Sequence, residues 1–449
     1  MSPRRTWNAV SVGSQDEPDC CAQARSLGAP SRRAVLKGLL AGAAAVPLVG
    51  IAGADIAYAS PTDTTWDGDT LIVLSMRGGF DGLSAIVPIS NDLYPDYLAQ
   101  RPNIAVPQSR LLDLDGRFGM HPALSPLKPW YDQGKFGAVV AAGLPAPNRS
   151  HFEAMAEIEA AVPGSVARNG WLNRVMGRHH GALAPLSALQ VGSSSMPTSL
   201  QGEESALGVR SLSSFTLTGA DNTSTPSAWS LTPAKWTAAL NTLSAKATTP
   251  VRESTSLTLG ALSDIATVNA TATGTGYPNG STAAALQDVA RLIKSGLGVK
   301  LVTLDVGDWD MHSGLGRVDN GWMFNNLTNL GQSLAAFAAD LGPALDNVTL
   351  VTISEFGRRV QENQSGGLDH GWGNVMFVLG GHVAGVKGRW PGLDSAALTA
   401  SSGDVQATTD YRAVLAEVLT RRCAAAVDDI AAVFPGYQGG QGDFPGIID

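Results

Sequence analysis

Four apolar runs, beginning near Leu71, Phe136, Val299 and Val348, are each followed within a few residues by side chains of metal-binding or nucleophilic type. A continuous apolar run bounded by turn residues suits a strand buried on both faces, and such strands belong to parallel sheets covered by helices. Parallel strands present their carboxyl ends at one edge, where open α/β sheets bind ligands. The sequence therefore predicts an α/β fold with a mostly parallel central sheet and helices on both faces, and it predicts that the polar residues after the runs converge.

The first run, Leu71 to Met76, leads into Arg77-Gly78-Gly79-Phe80-Asp81-Gly82-Leu83. Its glycines let the backbone turn sharply, so Asp81 is either an ion ligand or a turn residue bonding its own backbone. After Phe136 to Ala142 comes Asn148-Arg149-Ser150-His151-Phe152, and the spacing of Phe152, Met155, Ile158 and Val162 predicts an amphipathic helix. Ser150 then stands at a helix N-terminus, as its cap or as a nucleophile toward an anionic ester that Arg149 clamps and Asn148 donates to.

Val299 to Val306 delivers Gly307-Asp308-Trp309-Asp310-Met311-His312, two carboxylates and a histidine within five residues. Val348 to Ile353 delivers Ser354-Glu355-Phe356-Gly357-Arg358-Arg359, and Asp369-His370 lies between glycines ahead of a fifth apolar run, Asn374 to Leu379. Carboxylate and imidazole donors together suit Zn²⁺ or Mn²⁺ better than Ca²⁺, which prefers oxygen. One or two divalent ions per chain are expected.

The remainder divides by character. Residues from about 193 to 280 are rich in Ser, Thr and Ala with few charges. Helices are expected there from Thr232-Pro233 to Ala245 and from Ser254 to Asn269, and Trp229, Trp236 and Leu240 need burial. That points to an insertion packed over the sheet rather than a linker. Further helices are expected over Ala283 to Lys294, over Asn325 to Leu341, and after Asp410, which reads as a cap, with Val414, Leu415, Val418 and Leu419 facing a core.

Residues 1–59 read as a twin-arginine export signal. Ser31-Arg32-Arg33-Ala34-Val35-Leu36-Lys37 precedes an uncharged Ala/Gly/Leu/Val segment, and Ala57-Tyr58-Ala59 offers the small residues that a signal peptidase reads before Ser60. The same apolar segment could instead stay as a membrane anchor. With cleavage, residues 60–449 are enough for one large α/β domain with an embellishment or for two domains, with no span, exported to the periplasm or beyond. Of the 31 Lys and Arg and 39 Asp and Glu, the signal holds six and four, which leaves a net charge of −10. An acidic chain without a basic run argues against nucleic acid or anionic lipid as partner. Cys20 and Cys21 go with the signal, so Cys423 has no disulfide partner and stability rests on a conventional core.

The ordered motifs Gly-Gly-x-Asp-Gly-Leu, Arg-Ser-His-Phe, Trp-Asp-x-His, Ser-Glu-Phe-Gly-Arg, Gly-x-Asp-His-Gly and Thr-Asp-Tyr-Arg resemble domain-of-unknown-function family 1501 across essentially the whole chain after the signal. That resemblance implies twin-arginine export and an alkaline-phosphatase-like fold, shared with sulfatases and cofactor-independent phosphoglycerate mutase. It implies that Asp81, Ser150, Asp369 and His370 form a first metal site including the nucleophile, and that Asp310 or Asp308 with His312 forms half of a second. Asp308 has the superfamily's spacing to His312, whereas Asp310 belongs to the Trp-Asp-x-His motif and is preferred. Glu355 and His382 are further candidates, His382 as the later histidine that the superfamily expects. No Cys lies near Ser150, so formylglycine sulfatase chemistry fits poorly. The expected function is hydrolysis or transfer of a phosphate or related ester, small or polymer-borne, with Ser150 as nucleophile, Arg149 on a non-bridging oxygen and a second metal or His312 at the leaving group. The alternatives are a non-catalytic binding protein of the cell envelope on the same fold and a surface-interaction module built on the Ser/Thr-rich region.

Overall fold

The computed structural model describes residues 68–165, 169–178, 184–217, 220, 225–227 and 230–449. The twin-arginine run, residues 57–59 and Trp229 lie outside the described residues. Among the described residues nine strands make the main sheet: β1 (Thr70–Met76), β2 (Phe136–Gly143), β3 (Ala188–Val191), β4 (Leu207–Val209), β5 (Leu301–Val306), β6 (Val348–Ile353), β7 (Asn374–Gly380), β8 (Val386–Lys387) and β9 (Thr409–Asp410). Their order is β8-β2-β7-β6-β1-β5-β3-β4, with β9 also pairing β2. Among the described residues of this sheet only β7 pairs antiparallel, with β2 and with β6, and the other pairings are parallel. The carboxyl ends of β1, β2, β5 and β6 therefore share an edge with the amino end of β7.

The apolar runs are continuous because each central strand is covered on both faces. Along β1, Ile72, Leu74 and Met76 enter one core while Leu71 and Val73 enter the other, as the period of two in a strand requires. On β6 the same division sends Val348 and Leu350 one way and Val351 and Ile353 the other. The first core is closed by α4 (Ser281–Lys294) through Leu286 and Val289 and by α5 (Trp322–Leu341) through Leu327, Leu330 and Leu334. On the second face lie α1 (His151–Ala160), through Met155 and Ile158, and α6 (Tyr411–Arg422), through Val414, Leu415, Val418 and Leu419. Cys423 is buried there as a free thiol.

The Ser/Thr/Ala-rich segment contains α2 (Pro233–Ser244) and α3 (Thr249–Asn269), close to the expected ranges. Ala261, Ile265 and Val268 of α3 join the first core, so the segment does pack over the sheet. Two differences appear. Trp236 and Leu240 are half-buried rather than enclosed, and part of the segment is sheet, since β4 pairs with β3 at its edge. Among the described residues no helix is long and apolar enough to cross a membrane.

A smaller antiparallel sheet of Ile86–Pro88, Leu112–Asp113 and Phe118–Met120 sits beside a helical turn begun by His121. The Nδ1 of His121 accepts from the Ala123 N–H at 3.0 Å, and the ring is 2% exposed. Burial, helped by the charge of Arg110, pushes its pKa from 6.5 down to about 4. A pKa lowered on folding leaves stability intact above about pH 6.5 and removes it as pH falls through about 4, here by roughly 3 kcal/mol. His121→Asn keeps a capping acceptor without the titration, so unfolding free energies measured between pH 7 and 4 should fall less steeply in the variant; parallel curves would refute this role.

Candidate metal centre at the carboxyl edge of the sheet

The residues that meet reach the edge on loops set by their strands. His151 opens α1 after β2, Asp310 and His312 follow β5, Glu355 follows β6, and Asp369-His370 precede β7. The loops can meet because glycines stand where they touch. At Gly78, with φ +116°, a Cβ would lie 2.7 Å from the Asp310 nitrogen, and at Gly367 one would lie 2.3 Å from the His312 carbonyl carbon.

Three atoms define the centre. The Nε2 of His151, the Nε2 of His370 and the Oδ1 of Asp310 are separated by 3.0, 3.3 and 3.6 Å. A tetrahedral ion with bonds of about 2.0–2.1 Å holds its ligand atoms roughly 3.3 Å apart, so these three could hold one and leave a coordination position open. His312 flanks them, its Nε2 lying 2.9 Å from that of His370 and 3.1 Å from Asp310 Oδ1.

The outer partners fix which ring nitrogen faces inward. His370 Nδ1 donates to the Arg149 carbonyl at 2.8 Å, His151 Nδ1 to Glu355 Oε1 at 2.8 Å, and His312 Nδ1 to Asp369 Oδ1 at 3.2 Å. Each partner is an acceptor, so a ring in its neutral form carries its proton on Nδ1 and turns a lone pair at Nε2 toward the others. Lone pairs about 3 Å apart repel unless a proton or a cation lies between them. Glu355, 3% exposed, is itself held by the Gly78 N–H at 2.7 Å. Phe356 stacks against His151 and His370 with ring centroids 4.8 and 4.6 Å away.

Charge favours the same state. Burial would raise the Asp310 carboxyl, but the hydrogen bond and charge of Arg358, with His312 adding, more than offset it and leave the pKa below the usual range. Hydrogen bonds from Asn363 and His312 lower that of Asp369. Burial lowers His370, and Arg358 and His151 add to the effect over the opposing Arg149 carbonyl. At neutral pH the carboxylates are ionised and His370 is neutral, the forms that bind a cation.

Arg358, 2% exposed, ties the loops together. It donates to the carbonyls of Gly78, Gly79, Trp309 and Leu368 and, at 2.6 Å, to Asp310 Oδ1. The sequence assigns neither Arg358 nor His151 a role in the site. His151 stands in the Arg-Ser-His-Phe motif one residue after Ser150, which drew the attention, and its position after a buried strand is the signal that could have found it.

Several expected site residues sit elsewhere. Asp81 is not at the centre: its carboxylate is gripped by Arg101 at 2.7 and 3.0 Å, with both side chains buried, so it has no free edge for an ion. Asp308, with φ +74°, turns Oδ2 to Trp322 Nε1 at 2.7 Å, leaving Asp310 as the carboxylate that joins the histidines. Asp369 and Glu355 orient histidines rather than join the three atoms. His382 follows the antiparallel β7 and so lies at the opposite edge. Ser150 caps α1 through a long 3.5 Å contact from the Glu153 N–H, and the Arg149 guanidinium pairs with buried Asp404. Asp410 caps α6, as expected, and also pairs with Arg412.

Sheet and site together define a mostly parallel α/β protein with a candidate His/Asp metal centre at the carboxyl edge. The chain belongs to the family described as Protein of unknown function (DUF1501), whose model matches residues 129–418. No curated protein matches the sequence. Among solved structures, the C-terminal periplasmic domain of EcEptC from Escherichia coli in complex with Zn is similar over 72% of this chain and 77% of its own, at 9% identity and TM-score 0.34. A protein in the alkaline phosphatase superfamily from Vibrio parahaemolyticus is similar over 72% and 63%, at 8% identity and TM-score 0.30. The alkaline phosphatase of the Antarctic bacterium TAB5 gives 71% and 95%, at 9% identity and TM-score 0.23. At such scores nothing about the site or the reaction is carried over.

Proposed function

We propose that the protein is an exported metal-dependent hydrolase or transferase of a phosphate or related ester, with His151, Asp310 and His370, flanked by His312, holding a Zn²⁺ or Mn²⁺ ion. The observation that carries this reading is the convergence of inward-facing imidazole nitrogens on one ionised carboxylate. A bound divalent ion would neutralise the ester and lower the pKa of a nearby hydroxyl. The chain's own groups do the rest: Glu355 and the Arg149 carbonyl hold the rings, Arg358 holds Asp310, and the Ser150 hydroxyl stands one residue from His151. In the proposed reaction the Ser150 oxygen bonds to the ester's phosphorus, the alkoxide leaves with a proton, and water cleaves the serine ester. Export rests on Arg32-Arg33 and Ala57-Tyr58-Ala59.

A binding protein is the second reading, because the Ser150 hydroxyl caps α1 and the Arg149 guanidinium is paired with Asp404. Ser150→Ala and Ser150→Gly separate the two in metal-loaded protein assayed on phosphate and sulfate esters. As a cap alone, Ala should cost about 1 kcal/mol and Gly a few tenths, with turnover kept. As a nucleophile, both should lose turnover by orders of magnitude while keeping metal. Wild-type turnover in both variants would remove Ser150 from the mechanism, and a wild type inactive on every ester would leave the binding reading ahead.

A further inference from the structure

A cavity of about 780 Å³ opens on the far side of β2, between β8, β9 and the start of α6, with residues Gly436 to Pro445 as its outer wall. That wall is fixed from beneath. The carboxylate of Glu417, fully buried on α6, accepts from the Gly446 N–H at 2.9 Å and the Ile448 N–H at 3.0 Å.

The lining is cationic although the protein is acidic. Among the described residues Lys387, which lines the cavity, has no ion-pair partner, and the Arg389 side chain donates only to the Thr408 carbonyl, at 2.8 Å. Arg412, itself 8% exposed, gives Nε and Nη2 to Asp410, which leaves Nη1 without a bonded partner among the described residues. Asp443 is occupied by the Gly440 N–H at 2.9 Å. The Tyr437 ring lies under the Arg412 guanidinium at 5.2 Å, and its buried hydroxyl has no hydrogen-bond partner. A buried hydroxyl without a partner is costly, and so is a half-buried cation without a counter-charge.

We propose that this cavity is a second ligand site, separate from the metal centre, that takes an oxyanion through Lys387, Arg389 and the free edge of Arg412, with the Tyr437 hydroxyl bonding the ligand. Phosphoryl and carboxylate groups share the chemistry it reads, and the volume admits a body larger than the anion.

Isothermal titration of the full chain with inorganic phosphate and with citrate tests the site and tells the two sources apart. At least one probe should bind one-to-one in wild type. Lys387→Gln combined with Arg389→Gln should weaken that binding at least tenfold with Tm unchanged, Tyr437→Phe should weaken it several-fold, and Asp310→Ala should leave it as it was. Neither probe binding at millimolar concentration, equal affinity in the double variant, or loss of binding in Asp310→Ala, which would place the anion at the metal centre, would each overturn the proposal.

Discussion

Protein carrying His370→Ala should stay folded and lose most of its metal, with affinity falling by more than the 10- to 100-fold typical of removing an outer partner. His370 is the hub of the centre: its Nε2 lies within 3.0 Å of His151 and 2.9 Å of His312, and its ring is partly exposed, so truncation leaves no buried void. Glu355→Gln provides the graded comparison. The amide oxygen can still accept from His151, so affinity should fall within the 10- to 100-fold range while the His370 variant falls further. Elemental analysis and competition with a chelator measure both. Metal content equal to wild type in His370→Ala would mean that the histidines pair among themselves for stability alone.

Arg101→Met should cost about 3–5 kcal/mol of unfolding free energy, because it strands the buried carboxylate of Asp81 without its counter-charge. Arg101 is 0% exposed and also donates to Ser84 Oγ and to the carbonyls of Arg359 and Val360, so one side chain joins the loop after β1 to the segment after β6. Asp81→Leu in the same background should recover much of the loss, since an apolar pair of similar volume often replaces a buried ion pair at little cost. The double-mutant cycle, read from denaturant unfolding, measures the coupling. Metal content should not change in any of the three variants. A drop in metal with stability preserved would return Asp81 to the ligand set.

The sheet was legible because burial on both faces leaves uninterrupted apolar runs, and the convergence of the loops follows from parallel strands. Strand direction was not: an apolar run such as Asn374 to Leu379 reads the same either way, which is why His382 seemed available and lies at the wrong edge. Short strands toward one end of the sheet were missed for a related reason. Ala188–Val191 and Leu207–Val209 are too brief to stand out beside a Ser/Thr-rich stretch. At the site, donor types could be read but not their partners. Asp81 looked like a ligand because its counter-ion Arg101, twenty residues on, belongs to no motif. His151 and Ser150 are neighbours in sequence, and only the turn into α1 shows that the imidazole reaches Asp310 and His370 while the hydroxyl caps the helix.

Arg358 has a consequence for how an ion would come and go. One guanidinium holds carbonyls from the loops after β1 and β5 and from the loop before β7, so these loops form a single mechanical unit. Because protein groups alone tie these loops together, capture of an ion would cost desolvation but little chain ordering. Uptake should therefore be governed by how fast water leaves the ion, and release by the strength of its bonds, with no folding step in either direction.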